Sequence, residues 1–232
     1  MIFRVIVAAL FILTAGLAGA QEKPGLKDQK EKISYIIGMD IGGNFKKQSI
    51  DIDPDVLARG IKDGFSGSKP LLSEQEAREV MTAFEKEMKA RQEAAQRAAG
   101  EKNKKEGEGF LAENKKKEGV KTLPSGLQYK VIKPGTGQKP AATDTVTTHY
   151  KGTLIDGTEF DSSYKRGTPA TFRVNGVIPG WTEALQLMEV GAKWQLFIPS
   201  DLAYGERGAG RVIGPHATLI FEVELISIQE KK

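Results

Sequence analysis

The sequence predicts an α+β protein whose C-terminal part is an antiparallel β-sheet wrapped around one short helix. Two observations support this fold class. The spacing of apolar residues changes from helical to alternating at about Thr122, and alternation is typical of strands that bury one face. A single helical stretch, PGWTEALQLM, then interrupts about five short strand patterns. One helix among several strands indicates an α+β domain rather than a parallel α/β fold.

The first twenty residues, MIFRVIVAALFILTAGLAGA, read as a cleaved signal peptide, residues 1–20. An arginine precedes an apolar run, and small residues precede Gln21, which is the pattern that signal peptidase recognises. An uncleaved membrane anchor is the alternative, but the run is shorter than the roughly 20 apolar residues of a full span. We therefore expect a periplasmic protein. Whether it associates with the outer membrane or the cell surface stays open.

Residues 21–72 are predicted to be an N-terminal helical dimerisation region. Two helical patterns occur here, and the second has Asp53 as its N-cap and Pro54 at its first helical position. Two short helices cannot bury their apolar faces alone in so short a segment. We therefore expect a homodimer formed through residues 25–72. The apolar stripe of the first helix comprises Ile33, Ile36, Ile37, Ile41 and Phe45.

Residues 73–118 are predicted to form a long, charged connecting helix. Its apolar stripe fades into alanine, lysine and glutamate, so we expect its second half to bury little and to bridge domains. Such a helix is about 65 Å long at about 1.5 Å per residue. Gly100, Gly107 and Gly109 predict bending or fraying. A disordered linker is the alternative.

Residues 119–232 carry the alternating patterns and the lone helix. Asp156-Gly157 is a strong hairpin-turn signal between two strands. The helix presents one apolar face, formed by Trp181, Ala184, Leu185 and Met188. The inward faces of the last two strands are predicted to be Trp194, Leu196 and Ile198, and Leu219, Phe221, Val223 and Leu225.

The chain is poor in conventional catalytic groups. It has no cysteine and two histidines, His149 and His216, which excludes disulfides, Fe–S clusters and thiol nucleophiles and argues against a histidine-based zinc site. Its small positive charge is spread over mixed Lys/Glu runs, so we expect no nucleic-acid binding. We also predict no metal and no cofactor.

Aromatic and aliphatic residues near the turns of the C-terminal part are instead typical of a dry pocket with few polar groups. The alternative is that they form only the core of a small sheet. The apolar candidates are Tyr150, Phe160, Val177, Ile178, Trp181, Tyr204, Ile213 and Phe221, and the polar ones are Asp161 and Arg166.

Three stretches resemble the FKBP-type peptidyl-prolyl isomerase domain over roughly residues 122–229. They are VTTHYKGTLIDGTEFDSSYKRGTP, VIPGWTEALQLMEVGAKWQLFIPSDLAYGERG and IGPHATLIFEVELISI, in the family's order and spacing. The N-terminal part, with SYIIGMDIG and LARGIKDG, is similar to the macrophage infectivity potentiator (Mip) branch of exported bacterial FKBPs. That branch consists of V-shaped homodimers joined through their N-terminal segments.

This resemblance implies an exported peptidyl-prolyl cis-trans isomerase that acts on proline-containing unfolded or nascent polypeptides. It implies a prolyl pocket with Trp181 as its floor, and binding of macrolides of the FK506 and rapamycin type. A periplasmic holdase chaperone that only binds clients is the alternative, and a third reading is an interaction protein with an inactive pocket. The implied pocket residues are Tyr150, Phe160, Asp161, Arg166, Val177, Ile178, Trp181, Tyr204, Ile213 and Phe221, of which Asp161, Tyr204, Tyr150 and Phe221 are the implied catalytic ones.

Two positions depart from the best-known eukaryotic pattern of the family. Ala170 stands where a phenylalanine at the pocket rim is common, and Ala209 stands where a loop histidine often sits. Both changes bear on peptide preference and macrolide affinity more than on activity.

Overall fold

The computed structural model describes residues 25–229. The predicted signal peptide, residues 1–20, lies outside the described residues. The chain divides into two compact units, one ending at Glu74 and the other beginning at Gln75. Among residues 25–229, no helix is both long enough and apolar enough to cross a membrane.

Two helices form the described part of the first unit, as predicted. Helix α1 spans Gln29–Lys47 and helix α2 spans Pro54–Ser66. The Asp28 side chain accepts a hydrogen bond from the Glu31 N–H, and Asp53 accepts from the N–H groups of Asp55 and Val56, so both helices begin at an aspartate cap. Neither helix contains a buried residue.

Helix α3 is continuous over 41 residues, Glu74–Asn114. The disordered-linker alternative is therefore wrong. Our expectation that its second half buries little is also wrong, because Gly100, Gly107 and Asn114 are buried. The Asn114 amide donates to Gln128 Oε1 at 3.0 Å, and the Gln128 amide donates to the Leu111 carbonyl at 2.9 Å. A polar and glycine-rich helix face packs here by close backbone approach, which an apolar-stripe argument does not detect.

The sheet is antiparallel throughout, with seven strands in the order β1-β2-β6-β7-β3-β4, and β5 pairs with β3. The two short strands β1 and β5 were not predicted. The strands are β1 Val120–Thr122, β2 Gln128–Lys133, β3 Thr145–Leu154, β4 Glu159–Ser162, β5 Ala170–Arg173, β6 Lys193–Ile198 and β7 Leu219–Ile228.

The concave face of this sheet holds the core. A one-turn helix, α4, spans Ser163–Arg166, and α5 spans Pro179–Leu187. The predicted apolar face of α5 is confirmed, since its four residues are at most 4 % exposed. The predicted inward faces of β6 and β7 are also buried. Phe197 of β6 is buried as well and packs against Phe110 of α3, with ring centroids 6.0 Å apart.

Candidate active site

A cavity of about 720 Å³ opens between α5, the sheet and two loops. Nine of the ten residues predicted for a pocket line it, and Arg166 does not. The nine are Tyr150, Phe160, Asp161, Val177, Ile178, Trp181, Tyr204, Ile213 and Phe221. The structure therefore brings together side chains that are up to 71 positions apart in the sequence, between Tyr150 and Phe221.

Trp181 forms the floor of this cavity because the start of α5 packs tightly on β6. Pro179 is the first helical residue, where its missing N–H costs no hydrogen bond. A Cβ at Gly180 would lie 2.6 Å from Ile198 Cγ2, so glycine permits this close approach. Trp181 follows directly and is 4 % exposed.

Aromatic rings surround Trp181 in edge-to-face geometry. The ring centroids of Tyr150, Phe172 and Phe221 lie 5.2, 5.4 and 5.1 Å from that of Trp181, at interplanar angles of 88°, 69° and 83°. Phe160 packs in the same way on Phe221, at 5.4 Å and 82°. Such contacts restrict ring orientation and add to the stability gained from burial alone. The cavity walls are therefore apolar and preorganised.

The negative charge at the cavity wall belongs to Asp161, which is ion-paired, while Arg211 is a positively charged residue of the lining. The Tyr150 hydroxyl donates to Asp161 Oδ2, and Arg166 donates from Nη1 to Asp161 Oδ1 and from Nη2 to the Tyr150 hydroxyl at 2.8 Å. Burial tends to raise the pKa of Asp161, but hydrogen bonds from Tyr150 and Arg166 outweigh it and lower that pKa. Burial and the hydrogen bond to Asp161 raise the pKa of Tyr150. Near neutral pH the group is a carboxylate held by a neutral phenol and a cation.

Arg166 has a different position from the one the sequence predicts. Its side chain does not line the cavity; it lies behind Asp161, with its guanidinium carbon 5.4 Å from the centre of the Tyr150 ring. Helix α4 positions it, because Ser162 caps this turn and Gly167, at φ 72°, ends it. Arg166 therefore contacts two residues of the cavity wall and not its interior.

Among the polar groups at the cavity that have no partner within residues 25–229 are one backbone N–H and one side-chain hydroxyl. The Ile178 N–H donates no hydrogen bond there, although the Ile178 carbonyl accepts from the N–H groups of Trp181 and Thr182. The Tyr204 hydroxyl is likewise free in this part of the chain, and Tyr204 is 40 % exposed. Both groups are available to a bound peptide.

Several cavity residues were missed from the sequence. Phe172 lines the cavity, and its alternation with Ala170 along a short strand was the available signal. Ala170 itself does not line the cavity, whereas Ala209 does. The loop residues had no periodic signal. The full set missed is Phe172, Gly176, Gly210, Arg211 and Val212.

Neither histidine lies at this cavity. His149 Nδ1 is 2.9 Å from the Ser163 hydroxyl and its ring stacks on Tyr164, while His216 is a loop residue whose N–H donates to the Gly205 carbonyl. Within residues 25–229, no three histidine or carboxylate side chains are close enough to hold a metal ion. The cavity thus offers apolar walls and hydrogen-bonding groups to a ligand.

Comparisons with known proteins agree with this geometry. The family model described as the domain amino terminal to FKBP-type peptidyl-prolyl isomerase matches residues 30–131, and that of the FKBP-type peptidyl-prolyl cis-trans isomerase matches residues 136–226. The outer membrane protein MIP of Legionella longbeachae is 51% identical over 228 residues, 98% of this chain and 98% of the relative. The peptidyl-prolyl cis-trans isomerase Mip of Coxiella burnetii is 46% identical over 206 residues, 89% and 90% of the two chains.

A solved structure shows the same architecture. The crystal structure of FkpA from Escherichia coli has 40% sequence identity and a TM-score of 0.70, covering 88% of this chain and 99% of that chain. The Mip resemblance is confirmed, and the holdase alternative is not favoured, because relatives are named isomerases. The chain therefore belongs to the FKBP family and is a peptidyl-prolyl cis-trans isomerase.

Proposed function

We propose that this isomerase is exported and acts as a foldase on X-Pro bonds in periplasmic or secreted proteins. The observation that carries the proposal is the apolar cavity floored by Trp181, whose one lining carboxylate, Asp161, is ion-paired. The predicted signal peptide and a relative named an outer membrane protein support export.

The reaction explains why the site has no general base. Rotation about an X-Pro bond makes or breaks no covalent bond; its barrier is amide resonance, about 18–20 kcal/mol. The twisted amide has less charge separation than the planar amide, so a dry cavity binds the twisted form in preference. Preferential binding of the twisted form lowers the barrier without a proton transfer.

Each wall of the cavity has a role in this mechanism. The proline ring lies on Trp181 between Tyr150, Phe160 and Phe221. The Ile178 N–H and the Tyr204 hydroxyl, which are free of partners among residues 25–229, donate to peptide carbonyls. Asp161 orients the wall and acts electrostatically on the rotating carbonyl.

A protease-coupled assay with a short proline peptide tests the activity. We expect acceleration of isomerisation by the full chain, and inhibition by rapamycin or FK506 with a change in tryptophan fluorescence. A folded protein that gives no acceleration would overturn the proposal. Acceleration without any response to either macrolide would overturn only the proposed ligand class.

The pH dependence tests whether Asp161 stays a charged carboxylate over the working range of the enzyme. The lowered pKa of Asp161 keeps it charged from neutral pH down to below the usual carboxyl pKa of about 4. Its contribution to stability is therefore present above that value and is lost as pH falls through the folded-state pKa. We expect kcat/KM on an uncharged peptide to be flat between about pH 5 and 8.

The substitution Asp161→Asn tests the same role at constant pH. Because a charge-assisted hydrogen bond is about twice as strong as a neutral one, we expect kcat/KM to fall about tenfold. Asp156→Asn is the matched control, since the pKa of Asp156 is also lowered but its side chain lies in a turn outside the cavity. An Asp161→Asn variant with the kcat/KM of the wild type would contradict the electrostatic role.

The exposed face of α1 supports the proposed homodimer. Ile33, Ile36 and Ile37 are 48%, 60% and 54% exposed, and α1 and α2 bury no residue within one chain. Helices of this kind gain stability when a second apolar surface covers them. A second copy of residues 25–72 offers a matching surface.

We expect the double substitution Ile33→Glu and Ile37→Glu to yield monomers that keep activity on short peptides. Lys46→Glu, elsewhere on α1, is the control and should remain dimeric. Deletion of residues 21–72 should have the same effect as the double substitution. Sedimentation measures the outcome, and a deletion variant that still sediments as a dimer would exclude this interface.

A further inference from the structure

The segment from Gly205 to Thr218, here called the pocket loop, forms one wall of the prolyl cavity. Its inward residues complete the wall beside Tyr204, and Ile213 is 9 % exposed. The residues of the pocket loop that line the cavity are Ala209, Gly210, Arg211, Val212 and Ile213.

The pocket loop has little attachment to the sheet. Ala209 and Ile213 exchange backbone hydrogen bonds of 2.8 and 3.2 Å, and the His216 N–H donates to the Gly205 carbonyl at 2.8 Å. These bonds join the loop to itself. Among residues 25–229, the loop pairs with no strand before β7 begins at Leu219. Its position relative to the cavity therefore depends on the packing of Ile213 in the core and on what packs against its outer side.

Helix α3 packs against that outer side. A Cβ at Gly100 would lie 3.2 Å from His216 Cδ2 and 3.3 Å from Pro215 Cβ, and a Cβ at Gly107 would clash with Thr218 Oγ1 and lie 3.2 Å from Thr218 Cβ. Gly100, Asn103 and Gly107 are three and four positions apart and share one helix face. The two glycines thus let the helix backbone approach the loop closely.

Asn103 makes a side-chain hydrogen bond that joins α3 to the pocket loop. Its amide Nδ2 donates to the Pro215 carbonyl at 2.8 Å, and the bond is partly buried. Pro215 is two residues from Ile213 and faces the helix, while Ile213 lines the cavity. The hydrogen bond therefore holds the chain directly behind the cavity wall.

We propose that Asn103 is a positioning residue for the isomerase, and that α3 fixes the pocket loop through it. Helix α3 then supports the prolyl cavity in addition to serving as the connecting helix. The helix holds the Pro215 carbonyl, and so keeps Ile213 and the adjoining wall in place for a proline side chain. This inference rests on the proposed function of the cavity, whose wall includes Ile213.

The substitution Asn103→Asp tests the contact at nearly constant shape. A carboxylate cannot donate to a carbonyl, so the hydrogen bond is lost and repulsion replaces it. A single hydrogen bond is worth about a two- to tenfold change in an equilibrium. We expect KM for a proline peptide to rise by about that factor, with kcat changed less. Glu108→Ala, at an exposed position on α3, is the control.

A glycine pair provides a second test that does not use Asn103. Gly107→Ala places a methyl group against Thr218, so that α3 or Thr218 must shift, whereas Gly109→Ala meets no atom within 4 Å. Both substitutions replace a glycine of α3 with alanine, so both raise the intrinsic helix propensity by the same amount. We expect Gly107→Ala to raise KM and Gly109→Ala to leave it unchanged.

Amide hydrogen exchange of the full chain separates this inference from the proposed function. We expect the amides of Ala209 and Ile213 to exchange faster in Asn103→Asp and Gly107→Ala, with exchange in β3 and β7 unchanged. Wild-type exchange in the pocket loop of both variants would overturn the inference, even if the protein is an active isomerase. Faster loop exchange with unchanged KM would overturn the positioning role.

Discussion

Replacing Trp181 with leucine is expected to lower kcat/KM on proline peptides by about tenfold to a hundredfold, because burial of an apolar side chain against a partner is worth about 1.5–3 kcal/mol. The indole forms the floor of the cavity and contacts three aromatic rings. Its N–H makes no hydrogen bond within residues 25–229, so leucine removes packing and the flat surface without removing a polar contact.

Trp194→Leu is the matched control. Trp194 is 7 % exposed and stacks on Tyr129 with centroids 4.3 Å apart, away from the cavity. Both substitutions are expected to lower the free energy of unfolding by roughly 2–5 kcal/mol. Only Trp181→Leu should lose activity at temperatures where both variants are folded. Equal losses of activity in two folded variants would show that Trp181 acts through stability alone.

Replacing Gly152 with alanine is expected to disturb the cavity from inside the sheet. Gly152 of β3 pairs with Phe221 of β7, and a Cβ there would lie 2.6 Å from Phe160 Cε2 and 2.7 Å from Phe221 Cε1. A phenyl ring has no flexible end that could rotate away from the new methyl group. The parts of the cavity wall formed by Phe160 and Phe221 must therefore both shift. We expect a loss of about 1–3 kcal/mol in unfolding free energy, the usual cost of overpacking, and a KM raised more than about tenfold.

Gly176→Ala controls for the loss of a glycine beside the cavity. Gly176 lines the same cavity, but its added Cβ would meet Arg173 Cβ at 3.6 Å, an ordinary contact. Unfolding in urea and steady-state kinetics measure both variants. A Gly152→Ala protein with the KM of Gly176→Ala would show that the rings adjust without closing the cavity.

Much of the local structure could be predicted because its causes are local. Asp53 and Pro54 begin α2 as expected, since a cap and a proline act on the next turn of the chain. The alternation of β6 and β7 and the apolar face of α5 identified the buried residues correctly. The cavity residues were found because the family resemblance supplied their three-dimensional neighbourhood.

The features that sequence reasoning missed depend on contacts between distant segments. Gly100 and Gly107 were interpreted as points of bending, yet they lie in a packed face of α3. Glycine carries no apolar side chain, so hydropathy cannot show that its backbone is in contact. Phe172 lines the cavity only because β5 pairs with β3, and β5 is a four-residue strand with little periodic signal.

The fold class, the starts of α2 and α5, the inward faces of β6 and β7 and the family could all be read from the amino-acid sequence, because these follow from side-chain pattern and chain order. The position of Arg166 behind Asp161 and the contact of Asn103 with the pocket loop are visible only in the folded protein. Both are directed contacts of polar side chains, which form where the folded backbone brings donor and acceptor within hydrogen-bonding distance. Residue type alone does not specify that distance.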